Sequence, residues 1–300
     1  MKIKYSFLST IFLFSFQIHG QSLLWQIDGP NMQGPSFLFG SIHRVCRDEF
    51  RWDKEVMNTI ISDTQRGFFE VDLDSWFSSS IPVMKGDTTL KQLYTTEEYN
   101  FIKESFKKQK INIERYLKTS PLTLNLAFEF NQAIQGKEKN KKCYPMSYDQ
   151  YIADKYHNKG MNLVIQRVKG LETQAESDSI LHNYFTYQTQ AKMLLETLRD
   201  TSSVIQIQVQ KLLDIYFKMD IEKLYKYSIE ANMNFTYSYA LLDARNLLWM
   251  DRMPVYMKEY GPTMFVVGAA HLGGKNGLIS LLKQKGYTVR PVPLNLKKLR

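Results

Sequence analysis

Two cysteines and five histidines are all that 300 residues offer of the side chains that most often bind transition metals. Neither cysteine has a Cys-x-x-Cys partner, which excludes zinc ribbons and thioredoxin-like redox motifs. No Gly-x-Ser-x-Gly and no His-Glu-x-x-His occurs, so the common serine-hydrolase and zinc-protease signatures are absent. The glycines from Gly268 to Gly277 do not form a phosphate-binding loop, because Gly274 stands where that motif requires lysine. There is no solenoid period and no low-complexity segment. Beyond residue 20 no apolar run approaches the roughly 20 residues a membrane-spanning helix needs.

The first 20 residues read as a secretory signal. Lys2 and Lys4 form a basic start, Ile11 to Phe16 an apolar stretch extended by Phe7 and Leu8, and Ser15, His19 and Gly20 lead to cleavage after Gly20. That leaves a single domain over 21–300, in a secreted or periplasmic setting. Losing Lys2 and Lys4 lowers the formal charge from +9 to +7. Much of the remaining excess lies in Lys103–Lys110, Lys137–Lys142 and the tail from Lys297. Such runs read as solvated faces, and nucleic acid is not an expected partner. In an exported chain the lone pair Cys46 and Cys143 is expected to form one disulfide. Closing a loop of nearly 100 residues, it would contribute about 4–5 kcal/mol in the chain-entropy model.

Among so few histidines, two share one local pattern. Gly40-Ser41-Ile42-His43 follows Phe37-Leu38-Phe39, and Gly268-Ala269-Ala270-His271 follows Met264-Phe265-Val266-Val267. Fifteen glycines in 300 give any one histidine about a one-in-twenty chance of a glycine three places earlier. A histidine just past the end of a buried strand stands where open α/β sheets keep their chemistry. It is also a polar residue that can simply end a strand and bond to backbone.

The elements around these motifs read as α/β. Leu23–Ile27 and Ser36–Ser41 form a hairpin across the turn Asp28–Pro35. Phe50–Ser62 has helical spacing, and Gly67–Leu73 is a strand. At the other end, Thr263–Gly268, Asn276–Gln284 and Tyr287–Pro291 read as strand, helix and strand. Between them lies a helical insertion, about 95–260, with helical stretches over Thr95–Phe130, Ser147–Asn158, Glu172–Arg199, Ser202–Tyr227 and Phe235–Tyr260, and a short strand candidate at Met161–Gln166. The predicted fold is a mixed sheet built from N- and C-terminal βα units around a large helical middle.

If both ends share that sheet, His43 and His271 meet at one edge. Glu70 joins them: a carboxylate in the strand Phe68-Phe69-Glu70-Val71 is costly to bury unless paired or metal-bound. Two imidazoles and a carboxylate match a divalent-metal shell with open positions for water. Without metal, a histidine serves as general base with Glu70 orienting it. An edge-strand Glu70 facing water is the bland alternative, and Asp72 lies on the same strand face. Arg245-Asn246 sits in an apolar helical pattern, where the arginine either snorkels to solvent or clamps an anion.

Leu24-Trp25-Gln26-Ile27 with Phe37–His43 resembles the opening of the TraB/PrgY/GumN family, which includes the TIKI metalloproteases. Val267-Gly268-Ala269-Ala270-His271-Leu272 is similar to its closing motif. Phe69-Glu70, Gly170-Leu171-Glu172-Thr173 and Arg245-Asn246 stand where it carries a glutamate, a Leu-Glu-Thr segment and an Arg-Asn pair. Ser177 departs from the glutamine that bacterial relatives often carry there. The resemblance implies a fold related to erythromycin esterase and the haem-binding lipoprotein ChaN. It also implies a metal-dependent hydrolase with manganese or cobalt. In that reading His43, His271 and Glu70 bind metal, Glu70 activates water, and Arg245 and Asn246 face a peptide or small-molecule substrate. The alternative is a non-catalytic binding protein for a metal, haem or a small peptide.

Overall fold

The computed structural model describes residues 21–42, 45–46, 54–72, 83–138, 145–159, 167–200, 204–231 and 239–295. The signal-like segment, His43, Cys143 and the strand candidate Met161–Gln166 lie outside these residues.

Phe68 and Phe69 are both fully buried, yet they belong to different cores. Alternation along a strand requires this when a sheet is covered on both faces. The sheet has six strands in the order β6-β4-β7-β2-β1-β8. These are β1 (Leu24–Asp28), β2 (Ser36–Ser41), β4 (Arg66–Val71), β6 (Val168–Glu172), β7 (Thr263–Gly268) and β8 (Thr288–Val292). The hairpin is as expected, with β1 antiparallel to β2. The four strands from β6 to β2 run parallel, and β8 pairs antiparallel with β1. Two short strands, β3 (Val45–Cys46) and β5 (Pro145–Met146), pair separately.

One face carries Phe39, Phe69, Met264 and Val266 under helices α1 (Lys54–Asp63), α5 (Tyr148–His157) and α8 (Val204–Phe217). The other carries Leu38, Phe68, Leu171, Phe265 and Val267 under α10 (Ala244–Tyr260) and α11 (Leu278–Gln284). A separate apolar cluster joins α2 (Leu90–Leu93), α3 (Thr96–Lys108), α4 (Pro121–Glu138) and α7 (Tyr187–Arg199). The molecule is therefore α/β with a mixed sheet and a large helical middle. No helix of the described residues is long and apolar enough to cross a membrane.

Two readings change. Helix α1 is found over Lys54–Asp63, and the first residues of the stretch read as helical, 50–53, lie outside the described residues. The stretch read as one helix from Glu172 to Arg199 is a strand end and two helices. Glu172 closes β6, α6 spans Gln174–Tyr184, and Thr186 caps α7 by accepting the Thr189 N–H. An N-cap hydroxyl that takes an orphan N–H starts a new helix where apolar spacing alone suggests continuity. The stretch read as helical over Ser202–Tyr227 is likewise divided, into α8 and α9 (Ile221–Ala231).

Candidate functional site

Parallel strands β4, β7 and β2 are adjacent, and their carboxyl ends carry Glu70, Gly268 and Gly40-Ser41. The two Gly-x-x-His motifs thus start side by side, with Ser41 in register with Gly268. They also touch. A Cβ on Gly40 would lie 3.0 Å from Ala269 Cα and 3.1 Å from the Leu272 side chain, so a side chain there would press the second motif back by a few tenths of an ångström. Tyr216 donates its hydroxyl to the Gly40 carbonyl at 2.9 Å, and Ser41 donates to buried Asp149 at 2.9 Å.

β4 is an interior strand, so Glu70 is not an edge carboxylate. It is 12 % exposed, and its Oε1 accepts the Gly268 N–H at 2.7 Å. Its Oε2 lies 2.9 Å from Arg245 Nη2. The same guanidinium grips a second carboxylate: Nε donates to Glu172 Oε1 at 2.8 Å and Nη2 approaches that oxygen at 2.6 Å. Glu172 has a fully buried side chain, and Trp249 Nε1 donates to its Oε2 at 2.9 Å. Trp249, one helical turn after Arg245, also lies under its guanidinium at 4.8 Å. Among the described residues nothing pairs with Arg245 Nη1, which leaves its donors available.

Two anions share this one cation. Burial raises the Glu172 carboxyl above the ordinary range; Arg245 opposes the rise and the Glu70 charge adds to it. Burial also works against the Arg245 charge, yet Glu70 and Glu172 together hold its pKa above the usual arginine value.

His271 follows β7 in a single 3-10 turn and is 4 % exposed. Its tautomer follows from its neighbour. Asn246 Nδ2 donates to the carbonyls of His271 at 3.1 Å and Asn276 at 2.9 Å. The Asn246 amide can face two carbonyls only with its nitrogen, so Oδ1 is the atom 2.7 Å from His271 Nδ1. Nδ1 is then the donor. Nε2 lies 3.6 Å from Glu70 Oε1, beyond hydrogen-bond range.

The structure therefore brings Glu70, Arg245, Asn246 and His271 together at one sheet edge, and adds Glu172 and Trp249, which were not picked as candidates. Glu172 had a signal, since it lies in the Gly170–Thr173 segment. Trp249 had only its position four residues after Arg245. His43 lies outside the described residues, and Asp72 follows the end of β4. For the expected disulfide, Cys46 lies opposite Pro145, two residues after Cys143, and Cys143 is outside the described residues.

A second carboxylate fixes the segment after Glu172. Glu176 and Thr173 exchange capping hydrogen bonds, and Arg252 holds both Glu176 oxygens and the Leu171 carbonyl. The Arg252 hydrogen bond, then the Thr173 N–H, lowers the Glu176 pKa from 4.5 to about 2. A depressed carboxylate stabilises the fold above its ordinary pKa and loses that effect as pH falls through its folded value. The stability gap between wild type and Glu176→Gln should be constant above pH 4.5 and shrink toward pH 2. With 39 % of the side chain exposed, it should not exceed about 1 kcal/mol, measurable by urea unfolding across that range.

The carboxyl ends of interior parallel strands thus carry a carboxylate–guanidinium–imidazole cluster, in an α/β protein with a mixed sheet. The chain belongs to the TraB/PrgY/gumN family, whose model matches residues 23–291. No curated protein and no solved structure matches it significantly.

Proposed function

We propose that this is an exported metal-dependent hydrolase acting on peptide bonds, with His271, Glu70 and His43 as metal ligands. One observation carries the reading. With Nδ1 committed to Asn246, the Nε2 edge of His271 faces Glu70 Oε1 at 3.6 Å. An imidazole nitrogen and a carboxylate oxygen at that separation are suited to holding a divalent cation. Imidazole and carboxylate also form a donor set that suits zinc, manganese or cobalt. Among the described residues no cluster of three metal-type side chains occurs, and the third ligand in this reading, His43, lies outside them.

His271, Glu70 and His43 would hold a divalent cation there, which would supply a nucleophilic water and polarise a carbonyl. The chain's own groups supply the rest. Glu70 Oε1 is fixed by the Gly268 N–H, and Glu70 would either help hold the cation or take the proton of an attacking water. Arg245 presents Nη1 to the oxyanion that forms from the attacked carbonyl, or to a substrate carboxylate. Glu172 and Trp249 keep the guanidinium from swinging away. Asn246 holds the His271 ring with Nδ1 as the donor and Nε2 toward Glu70.

The test is metal analysis of the purified mature protein, wild type and His271→Ala, followed by cleavage of a peptide library. We expect about one manganese, cobalt or zinc per wild-type chain, by the coordination logic above, and a metal-poor, inactive variant. Metal without cleavage favours the binding-protein reading. Wild-type protein that binds no divalent metal overturns both roles for His271.

A further inference from the structure

One helical hairpin touches both Gly40 at the end of β2 and the loop that follows His271. Helix α8 supplies Tyr216, whose hydroxyl donates to the Gly40 carbonyl at the end of β2, where the Gly40 N–H has already turned to Leu23. Tyr216 is 1 % exposed, and burial pushes its phenol well above the usual value, so it remains a protonated donor. Helix α9, three residues after α8, closes on the loop that follows His271. A Cβ on Gly273 would lie 2.5 Å from the Ile221 carbonyl, and one on Gly274 2.3 Å from the Tyr225 ring. The Gly274 N–H donates to Glu222, at 3.1 Å for the nearer oxygen. Neither glycine could carry a side chain there, so the loop is seated directly against the helix.

From α9 a chain of hydrogen bonds runs back to the imidazole. Tyr225 donates to Asp243 at 3.2 Å, and Asn276 Nδ2 donates to Asp243 at 3.0 Å. The Asn276 carbonyl accepts from Asn246, whose Oδ1 meets His271 Nδ1. Asp243 is the residue before α10, two positions ahead of Arg245, so the same chain anchors the helix that delivers the arginine.

We infer that the α8–α9 hairpin sets the spacing between the Gly40 end of β2 and the loop that follows His271, with Tyr216 and Tyr225 as positioning residues at its two ends. Neither touches the reacting groups; each fixes backbone or side chains that do. The inference rests on reading this edge as the functional site, and its first readout needs no metal. In the metal-free protein, histidine side-chain NMR resonances are recorded for wild type, Tyr216→Phe, Tyr225→Phe and a control, Tyr156→Phe. Tyr156 bonds Thr64 near Gly67, at the amino end of the parallel strands, so its loss lowers stability away from this edge. Tyr216→Phe is expected to shift His271 signals through Ala269, which packs on Gly40, Tyr225→Phe to shift them through Asn276 and Asn246, and Tyr156→Phe not to shift them. The second readout is cobalt affinity and its visible spectrum. Both positioning variants should bind cobalt about tenfold or more weakly with an altered spectrum, as loss of groups behind metal ligands does. Shifted histidines without cobalt binding in any variant would leave the hairpin role standing and remove the metal reading. Unchanged histidine signals in both variants, or equal shifts in the control, overturn the inference.

Discussion

Replacing Glu172 with alanine is expected to destabilise the protein by about 3–5 kcal/mol, the range for removing one partner of a buried ion pair. The reason is what stays behind. Arg245 is 8 % exposed and cannot shed its charge, while Trp249 Nε1 loses its acceptor. Glu70 alone then faces the guanidinium, through one oxygen at 2.9 Å. Glu172→Gln should cost less, about 1–3 kcal/mol, because it keeps a carbonyl acceptor for one donor. It remains destabilising, since its amide NH2 must face either Arg245 or Trp249, which are both donors. Urea unfolding followed by tryptophan fluorescence measures both. A loss below about 1 kcal/mol in the alanine variant, the typical value of an exposed pair, would mean that this cluster is not the anchor its geometry describes. An apolar Glu172→Met, Arg245→Leu pair should recover only part of the loss, because it removes the buried pair but leaves Glu70 without its cation and Trp249 Nε1 without its acceptor.

The terminal strands were legible because their pattern is local. Ser36–Ser41 and Thr263–Gly268 are dense in β-branched and aromatic residues, and a sheet covered on both faces turns such runs into continuous burial. What no local pattern shows is that β7 lies between β2 and β4. Parallel pairing joins residues some 200 positions apart, and nothing in either strand names its neighbour. The motifs pointed there only through the assumption that both ends share a sheet, which the β2–β7 register bears out. β6 was hidden for a different reason. Its five residues include Lys169 and Gly170, a weak strand signal, and the following Gln174–Tyr184 is helical. Gly170 is needed because a Cβ there would lie 2.4 Å from the Asp72 N and 2.6 Å from the Glu172 carbonyl. Without the β4 strand beside it, that crowding is invisible, and Glu172 reads as the start of a helix rather than a buried anchor.

The same split holds for the site. Glu70 and His271 stood out because a carboxylate in an apolar strand and a histidine after one are locally odd. Arg245 was ambiguous because an arginine among leucines has two outcomes, and only tertiary contact with Glu70 and Glu172 decides against snorkelling. Asn246 gave no local sign of its task. It is fully buried, and all its polar atoms are spent on the loop that carries His271.

Asn246→Ala should therefore weaken metal binding about 10–100-fold, the usual effect of losing the group that orients a ligating histidine. Nδ1 would lose its acceptor, the proton could move to Nε2, and the ring could turn away from Glu70. The carbonyls of His271 and Asn276 would lose their donor at the same time, at about 1–3 kcal/mol for each buried group left unpaired. Affinity measured by chelator competition separates these effects from simple unfolding when circular dichroism shows an intact fold. Asn246→Asp sharpens the test. One carboxylate oxygen can still accept from Nδ1 and would make the imidazole a more basic ligand. The other would face two carbonyl oxygens as a buried acceptor with no donor, so stability should fall further than in the alanine variant. A folded Asn246→Asp protein with stronger metal binding than Asn246→Ala, despite lower stability, is the expected result. Equal affinities in wild type and both variants would confine Asn246 to holding the loop and leave the imidazole tautomer without a role.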